Sequence, residues 1–493
     1  MTQVVIVVFD GLNEELVTPD LMPRLSAFAA EGARFANHRP VFPSVTRLNA
    51  AAIATGCFPG THGLHANLSL VPEYHPTEPM DAMEPQLTEL RRRTGRVLFV
   101  PTLADLLGER GLEYVAAGVG TSGQAFVHHP NGEDAALGAT IHTDYALPRG
   151  LFDEVVQRFG PWPEKVLPNT PRIRQLTRVF TDYVLAERNP AVALLWFSEP
   201  DSSQHGAGLN SPTTRQAATD ADAEFGRLLD WLEATGRAPE TNVIVTCDHG
   251  QSTIIEPVPL SDLLAAEGFA GPGEPGGVIV AGNGGSALFY IDQHDPAVAD
   301  RLAAWLMAQP WAGPILASDR VGAIEGTLPA RLLGLQGDRT PDLLMSFGWN
   351  DGVNEHGQPG MVYSSGGAAG RGTHGSMSPW EFRTFTVARG PAFRPAARVE
   401  VATGHADLAP TILRILGIER PAQMEGRAVE EALVDGVDRP MAPAEGHVAS
   451  RTVPGGVYRQ RLVVAPTESG RGHLVSASYS RAAADRAGVT AAR

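Results

Sequence analysis

Three apolar runs that each lead into an acidic residue constrain this chain more than any other feature of its sequence. Runs rich in Val, Ile and Leu without polar interruption are typical of strands buried on both faces of a parallel sheet. Helical spacing of apolar residues occurs between them, as over residues 225–232, and again later over residues 408–416. The sequence therefore predicts an α/β fold, a doubly wound and mostly parallel sheet with helices on both faces. The runs are Val4 to Phe9, Ala193 to Phe197 and Val243 to Val245, and the acids that follow them are Asp10, Asp201 and Asp248.

Composition excludes several classes of protein. The 493 residues are 43% apolar, which is too high for a disordered chain, and the length suits two domains or one large core with insertions. The formal charge of −16 argues against polymeric nucleic acid as a partner. No apolar run is long enough to suggest a membrane anchor, and two cysteines, Cys57 and Cys247, suit a reducing cytoplasm. The sequence does not indicate an oligomeric state.

Gly- and Pro-rich stretches interrupt the strand and helix alternation in the second half of the chain. We predict a catalytic core over residues 1–250 and 371–438, with an inserted cap or subdomain over residues 251–370. Residues 439–493 are expected to form a hairpin, around residues 456–478, and a tail that frays.

Metal-ligating side chains are concentrated where the predicted strands end. Asp201 is followed by His205, and Asp248 by His249, while a later Gly-rich segment carries His374. Together with Asp10 this gives three carboxylates and three imidazoles, a ligand count that fits two divalent ions. Zinc is the simplest choice because mixed oxygen and nitrogen ligands suit it, although Mn²⁺ or another divalent ion is also compatible. Any one of these residues could instead cap a helix or fill the core, but independent caps have no reason to bring histidines with them.

A candidate for a reactive hydroxyl lies between Asp10 and Asp201 in the sequence. Thr46 follows Pro43 and Ser44 and precedes an Ala-rich helical stretch, so it is expected near a helix N-terminus, where free N–H groups attract an anion. Asn49, one helical turn further on, can donate to the same phosphoryl oxygen. The alternative is that Thr46 is an N-cap and Asn49 is solvated.

These segments together resemble the alkaline phosphatase superfamily, and within it the type I phosphodiesterase and nucleotide pyrophosphatase family. The resemblance spans about residues 3–435, apart from the insert. Two departures are Arg47, where the family usually has an aromatic residue, and Leu48, which replaces a frequent proline. The matching motifs are Thr46 with Asn49, the TGCFPGTHG segment from Thr55 to Gly63, Asp201 to His205, Asp248 to Gly250, and His374-Gly375.

The resemblance implies a role for each matching residue. Asp10, Thr46, Asp248 and His249 would hold one zinc ion, and Asp201, His205 and His374 the other. The first ion would activate Thr46 as the nucleophile, giving a covalent phosphothreonine intermediate, and the second would stabilise the departing oxygen and later deliver water. Asn49 and the backbone N–H of Thr46 would bind the non-bridging oxygens.

Formal charge favours a small phosphate diester as the substrate. Two divalent ions and three ligand carboxylates leave about +1 while Thr46 is protonated, which suits one negative charge better than two. A phosphomonoesterase remains an alternative, because Arg47 could act as a phosphate clamp; it could equally lie in solvent or pair with an acid. A phosphonate hydrolase is a second alternative, although enzymes of that kind use lysines and this chain has only Lys165. A catalytically silent binding protein is disfavoured because every expected ligand and the nucleophile are present.

Residues 118–123 also match the G-x-G-x-x-G pattern of dinucleotide-binding turns, after a short apolar run. No helix is expected over residues 124–132, so the phosphate-binding helix would be missing. The pattern is therefore not interpreted as a cofactor site.

Overall fold

The structure is a computed structural model that describes residues 2–438 and 440–482. The strands are β1 Gln3–Phe9, β2 Ala33–Arg39, β3 Leu68–Ser69, β4 Met80–Asp81, β5 Tyr114–Gly118, β6 Ala139–His142, β7 Ala146–Leu147, β8 Val192–Phe197, β9 Thr241–Thr246, β10 Ser252–Pro257, β11 Val278–Asn283, β12 Ser286–Ile291, β13 Ala312–Ala317, β14 Leu328–Pro329, β15 Leu343–Phe347, β16 Trp349–Val353, β17 Pro359–Ser364, β18 Gly372–Thr373, β19 Thr386–Arg389, β20 Arg398–Gly404, β21 Glu445–Val453, β22 Gly456–Pro466 and β23 Gly472–Ala482.

The helices are α1 Pro23–Glu31, α2 Thr46–Thr55, α3 Pro59–His62, α4 Glu84–Thr94, α5 Leu103–Gly108, α6 Ser122–Val127, α7 Leu151–Phe159, α8 Thr170–Val179, α9 Asp201–Ala207, α10 Pro212–Ala234, α11 Leu260–Ala266, α12 Pro296–Ala308, α13 Pro379–Phe382 and α14 Leu408–Ile415. A π-helical segment, Phe180–Arg188, continues α8, and a short 3₁₀ helix, His405–Asp407, leads into α14. Among the described residues, none of the helices combines the length and apolarity needed to cross a membrane.

A nine-stranded sheet in the order β20-β2-β19-β9-β1-β8-β5-β6-β7 forms the centre of the molecule. The predicted strands β1, β8 and β9 are adjacent and parallel, with β1 in the middle. Antiparallel pairing occurs only around β19 and at the β6–β7 edge within this sheet. The predicted mostly parallel α/β sheet is therefore confirmed.

Strand β1 shows why the sheet needs helices on both of its faces. Its alternate residues Val4, Ile6 and Val8 enter the apolar cluster that includes Ala50 and Ile53 of α2. The residues between them face the opposite cluster, which includes apolar side chains of α8 and α10. Because both faces are covered, every residue of β1 is buried, as the uninterrupted apolar run predicts.

Four smaller sheets complete the described chain. Strands β11 to β15 form a five-stranded sheet, and β10 and β16 to β18 form a four-stranded one. Strands β21, β22 and β23 form an antiparallel sheet near the C-terminus, and β3 pairs with β4. Most of the predicted tail, residues 483–493, lies outside the described residues. The predicted domain boundaries stay a prediction.

The expectation of no helix after residues 118–123 is partly wrong. Helix α6 covers Ser122–Val127, so the first residues of the 124–132 segment are helical. It is only six residues long and is buried along its whole length, which explains why no amphipathic pattern marks it in the sequence.

Candidate active site

The order of the central strands brings the three acidic residues together. Because β8, β1 and β9 are parallel, their carboxyl ends lie at one edge of the sheet. The N–H of Asp201 donates to the carbonyl of Asp10 at 3.0 Å, and the N–H of Gly11 donates to Oδ1 of Asp248 at 3.1 Å. The strand ends thus hold the carboxylates against one another.

Gly11 permits this close approach. Its φ is +66°, and a Cβ at this position would lie 2.9 Å from Cβ of Asp201. A larger residue would force the β1 and β8 ends apart, so the chain requires glycine directly after Asp10.

Two histidines reach the same place by different routes. His205 lies one helical turn after Asp201 in α9, and its Nε2 is 3.2 Å from Oδ1 of Asp201. His374 follows β18, which pairs with β10 through Thr373 and Ser252. Because β10 starts shortly after His249, this pairing places His374 against His249, with stacked rings 3.6 Å apart.

The three imidazoles present the same nitrogen to the carboxylates. Each one uses Nδ1 to donate to a backbone carbonyl, which can only accept, so a neutral ring has its lone pair on Nε2. This arrangement fixes the orientation of metal-ligating histidines in many proteins. The bonds run from His205 to Gly372 at 2.8 Å, from His249 to Gly250 at 3.0 Å and from His374 to Ser44 at 2.9 Å.

The ligand atoms form two overlapping groups. Asp10, Asp248 and His249 make one, Asp201, His249 and His374 make the other, and within each group the atoms lie within 4.8 Å of one another. His205 adjoins the second group through Asp201. All six predicted carboxylate and imidazole ligands are therefore in one place, with His249 between the two groups rather than at one side.

The buried carboxylates of this cluster would be stabilised by bound positive charge. Burial, together with the charges of Asp248 and Asp201, raises the pKa of Asp10 well above its usual value, and burial raises the pKa of Asp248 to about 8. Burial also lowers the pKa of His249 to about 3, which keeps its ring neutral. Oδ1 of Asp10 and Oδ2 of Asp248 are buried and have no hydrogen-bond partner among the described residues. The donor set fits divalent ions such as zinc.

The hydroxyl candidate lies beside these ligands. Helix α2 begins at Thr46, so the backbone N–H of Thr46 has no partner within the helix. Its side-chain Oγ1 is 3.1 Å from Nε2 of His249. Free N–H groups at the start of α2 and the adjacent ligands make this a suitable place for a phosphoryl group.

Asn49 is not solvated, which is the alternative that the sequence left open for it. Its side chain is completely buried, and Oδ1 accepts from the N–H of Val41 at 2.8 Å and from Nδ1 of His405 at 2.7 Å. Its Nδ2 donates to the carbonyl of Val45 at 3.0 Å, which leaves one amide hydrogen for another acceptor.

Arg47 is neither solvated nor free. It is mostly buried and pairs with the Asp81 carboxylate at 2.8 Å, one of the three arrangements left open by the sequence. Asn67, which sequence analysis missed, accepts the backbone N–H of Arg47 through Oδ1 at 2.9 Å, and its Nδ2 makes no hydrogen bond within the described part of the chain. An unused amide next to Thr46 is a second candidate donor to a phosphoryl oxygen.

Supporting residues were also missed. Nε1 of Trp196, a buried residue of β8, donates to Oδ2 of Asp10 at 3.0 Å. Ser44 accepts the N–H of Gly375 at 3.0 Å, and its hydroxyl lies 3.2 Å from the buried Glu381 carboxylate. The sequence gives no signal for these contacts because they join segments hundreds of residues apart.

Curated relatives match parts of the chain. It is 25% identical over 246 residues to human ectonucleotide pyrophosphatase/phosphodiesterase family member 1, which is 49% of this chain and 22% of that protein. It is 32% identical over 80 residues to human family member 7, which is 16% of this chain and 18% of that protein. The matches thus span less than a quarter of the length of these relatives.

Solved structures and a family model extend the comparison to most of the chain. The murine ectonucleotide pyrophosphatase/phosphodiesterase 5, as an inactive variant in complex with AMP, matches with a TM-score of 0.61 at 20% identity over 88% of this chain and 100% of that chain. A second structure of that murine protein gives a TM-score of 0.60 over 87% of this chain. These likenesses confirm the alkaline phosphatase-like fold. The family model for type I phosphodiesterases and nucleotide pyrophosphatases matches residues 4–377, a range that contains every predicted ligand, and the chain belongs to this family.

Proposed function

We propose that the protein is a metal-dependent phosphodiesterase or nucleotide pyrophosphatase that hydrolyses a small phosphate diester through a covalent phosphothreonine at Thr46. The observation that carries this proposal is the position of the Thr46 hydroxyl, 3.1 Å from Nε2 of His249 and at the start of α2. The nucleophile, the anion-binding helix end and the metal ligands thus meet at one point.

The donor set supports a dizinc site. Asp10, Asp248, His249 and Thr46 would hold one ion, and Asp201, His205 and His374 the other, with Mn²⁺ or another divalent ion as a substitute. When bound, two such ions would stabilise charge on the attacking and leaving oxygens and make the hydroxyl and water more acidic.

The residues of the chain account for the two displacements. Thr46 Oγ1 loses its proton and bonds to phosphorus as the bond to the leaving oxygen breaks, and that oxygen takes up a proton. In the second step, a water oxygen bonds to phosphorus and loses a proton as the bond to Thr46 Oγ1 breaks, and Oγ1 takes up a proton. The two inversions would retain the configuration at phosphorus. The N–H of Thr46 and the amides of Asn49 and Asn67 are the candidate donors to the non-bridging oxygens.

Charge supports a diester over a monoester. The ligand carboxylates and two divalent ions leave about +1 for the substrate. Arg47 adds little to this, because Asp81 neutralises it at 2.8 Å. A nucleotide is a candidate substrate or product, since the related murine protein was solved in complex with AMP.

A comparison of substrates tests the proposal. Zinc-loaded protein is expected to hydrolyse a chromogenic phosphate diester faster than the matching monoester, sulfate ester and phosphonate. Thr46→Ala is expected to lower kcat by at least about a thousandfold while zinc content stays near two per chain, and Thr46→Ser serves as the control that keeps a hydroxyl. Full activity of Thr46→Ala would remove threonine from the mechanism, and a monoester preference would contradict the choice of substrate.

A further inference from the structure

His405 lies behind the nucleophile helix, between that helix and the segment that carries two metal ligands. Its Nδ1 is 2.7 Å from Oδ1 of Asn49 in α2, and its Nε2 is 2.9 Å from the carbonyl oxygen of Cys247, directly before Asp248. The ring is completely buried. It therefore joins α2 to the end of β9.

Both oxygens that face this ring are hydrogen-bond acceptors. The Asn49 amide cannot be reversed, because Oδ1 accepts the N–H of Val41 at 2.8 Å and Nδ2 donates to the carbonyl of Val45 at 3.0 Å. Reversal would set donor against donor and acceptor against acceptor. The Cys247 carbonyl can only accept. A neutral ring would donate to one oxygen and direct a lone pair at the other.

We propose that His405 is a positioning residue that holds α2 against the Asp248–His249 segment by donating from both ring nitrogens, and that it is an imidazolium cation in the native protein. Its role in catalysis rests on the function proposed above. The protonation state of His405 does not depend on that function.

The surroundings of the ring contain both opposing and supporting charges. Burial, together with nearby His473, lowers the pKa of His405 to about 4, whereas the bond to the Cys247 carbonyl and the charge of Asp407 act in the opposite direction. Burial also lowers the pKa values of His38 and His249, so these neighbours are neutral. The groups that face the ring are His38 of β2, His473 of β23, Asp407 of the same short helix, and Cys247 and His249 after β9.

The two hydrogen bonds of the ring outweigh the effect of burial. Burial raises the pKa of Asp407, but contact with His473 lowers it, and the net result is a pKa below its usual value. An ionised carboxylate therefore lies near the ring of His405. Charge-assisted hydrogen bonds are roughly twice as strong as neutral ones, and this ring makes two of them. If the ring lost one proton, the bare nitrogen could not hydrogen-bond to water instead, because the ring is enclosed. One hydrogen bond would be replaced by repulsion between the lone pairs of nitrogen and oxygen.

Nuclear magnetic resonance of ¹⁵N-histidine-labelled, zinc-loaded protein at neutral pH tests the protonation state directly. His405→Gln identifies the signal. His38→Gln is the matched control, because His38 is equally buried and its ring centroid is 5.1 Å from that of His405. Within the described residues His38 contacts Thr403 through Nδ1 and makes no hydrogen bond to Asn49 or Cys247. We expect the signal lost in His405→Gln to come from a ring with protons on both nitrogens. A neutral ring would overturn the inference, and His405→Asn replaces the first variant if that variant does not fold.

Kinetics test the positioning role. His405→Gln is expected to lower kcat for a phosphate diester by about tenfold or more, with KM changed by less than about twofold and zinc content unchanged, whereas His38→Gln stays near wild type. A wild-type kcat in His405→Gln would overturn the positioning role. Absence of diesterase activity in the wild-type protein would instead overturn the proposed function, because the protonation state is read without turnover.

Discussion

Two amides lie close to Thr46, and their hydrogen bonds differ. Asn67 uses only its Oδ1 within the described chain and is half-buried, whereas Asn49 makes three buried side-chain bonds. An amide with free hydrogens at a partly open position can donate to charge that develops on a phosphoryl oxygen. We therefore predict that Asn67→Ala lowers kcat for a diester by about 10²- to 10³-fold with little change in melting temperature.

Asn49→Ala supplies the contrast. Its removal leaves the N–H of Val41 and the ring of His405 without their acceptor, so we expect a loss of about 1–3 kcal/mol for each buried group in the free energy of unfolding. Denaturant unfolding together with steady-state kinetics separates the two variants. A large kcat loss in Asn49→Ala at unchanged stability, with an active Asn67→Ala, would reverse the assignment.

The sequence predicts the candidate metal ligands better than it predicts the residues that lie around them. Asp10 and Asp248 follow apolar strands, and this local pattern is enough to place them at a sheet edge. Asn67, in contrast, belongs to no periodic segment and lies twenty-one positions after Thr46, beyond the end of α3. Only the folded path of the chain brings it to the start of α2.

At the scale of elements, the segment that carries His374 is attached to the start of α2 by a buried carboxylate. Glu381 accepts from the N–H and the hydroxyl of Ser376, both at 2.6 Å, and lies next to the hydroxyl of Ser44. The backbone carbonyl of Ser44 in turn accepts a hydrogen bond from Nδ1 of His374. This network fixes the ring of His374 relative to the nucleophile.

We predict that Glu381→Ala destabilises the protein by about 2–4 kcal/mol, because it leaves buried donors unpaired, and weakens binding of one of two metal ions per chain. Zinc titration and denaturant unfolding measure the two effects. Glu381→Gln, which keeps the shape and one carbonyl acceptor, is the matched control and should lose less in both. Unchanged zinc affinity in Glu381→Ala would show that the network does not orient His374.

Helices whose apolar residues repeat with a clear period were predicted from the sequence, and elements without such a period were not. The 225–232 and 408–416 patterns lie in α10 and α14, because an amphipathic face repeats over several turns. Helix α6 was missed because it is too short and too uniformly buried to show a polar face. The two-residue strand β18 is defined only by its partner β10, so no local pattern could indicate it.

At the scale of the whole molecule, the concentration of acidic groups makes stability depend on metal and pH together. Burial raises the pKa of Asp248 to about 8 from its ordinary value near 3.8. Between these values the unfolded, metal-free chain binds fewer protons than the native one. We therefore predict that the melting temperature of the metal-free protein falls as pH rises through this window, and that zinc removes this dependence.

Calorimetry of chelator-treated and zinc-reloaded protein over this pH range measures the effect. Asp248→Asn is the control, because its metal-free form lacks the titrating group and should lose much of the dependence on pH. Equal pH dependence with and without zinc would contradict the prediction.

The two ligand groups are completed at different points along the polypeptide. Asp10, Asp248 and His249 are all present once the chain has been made to just past its midpoint, whereas the other group also needs His374, much further along the chain. Under the proposed function, synthesis on the ribosome would therefore impose an order on maturation: a nascent chain that stops short of β18 contains every residue of the first group but lacks His374 of the second.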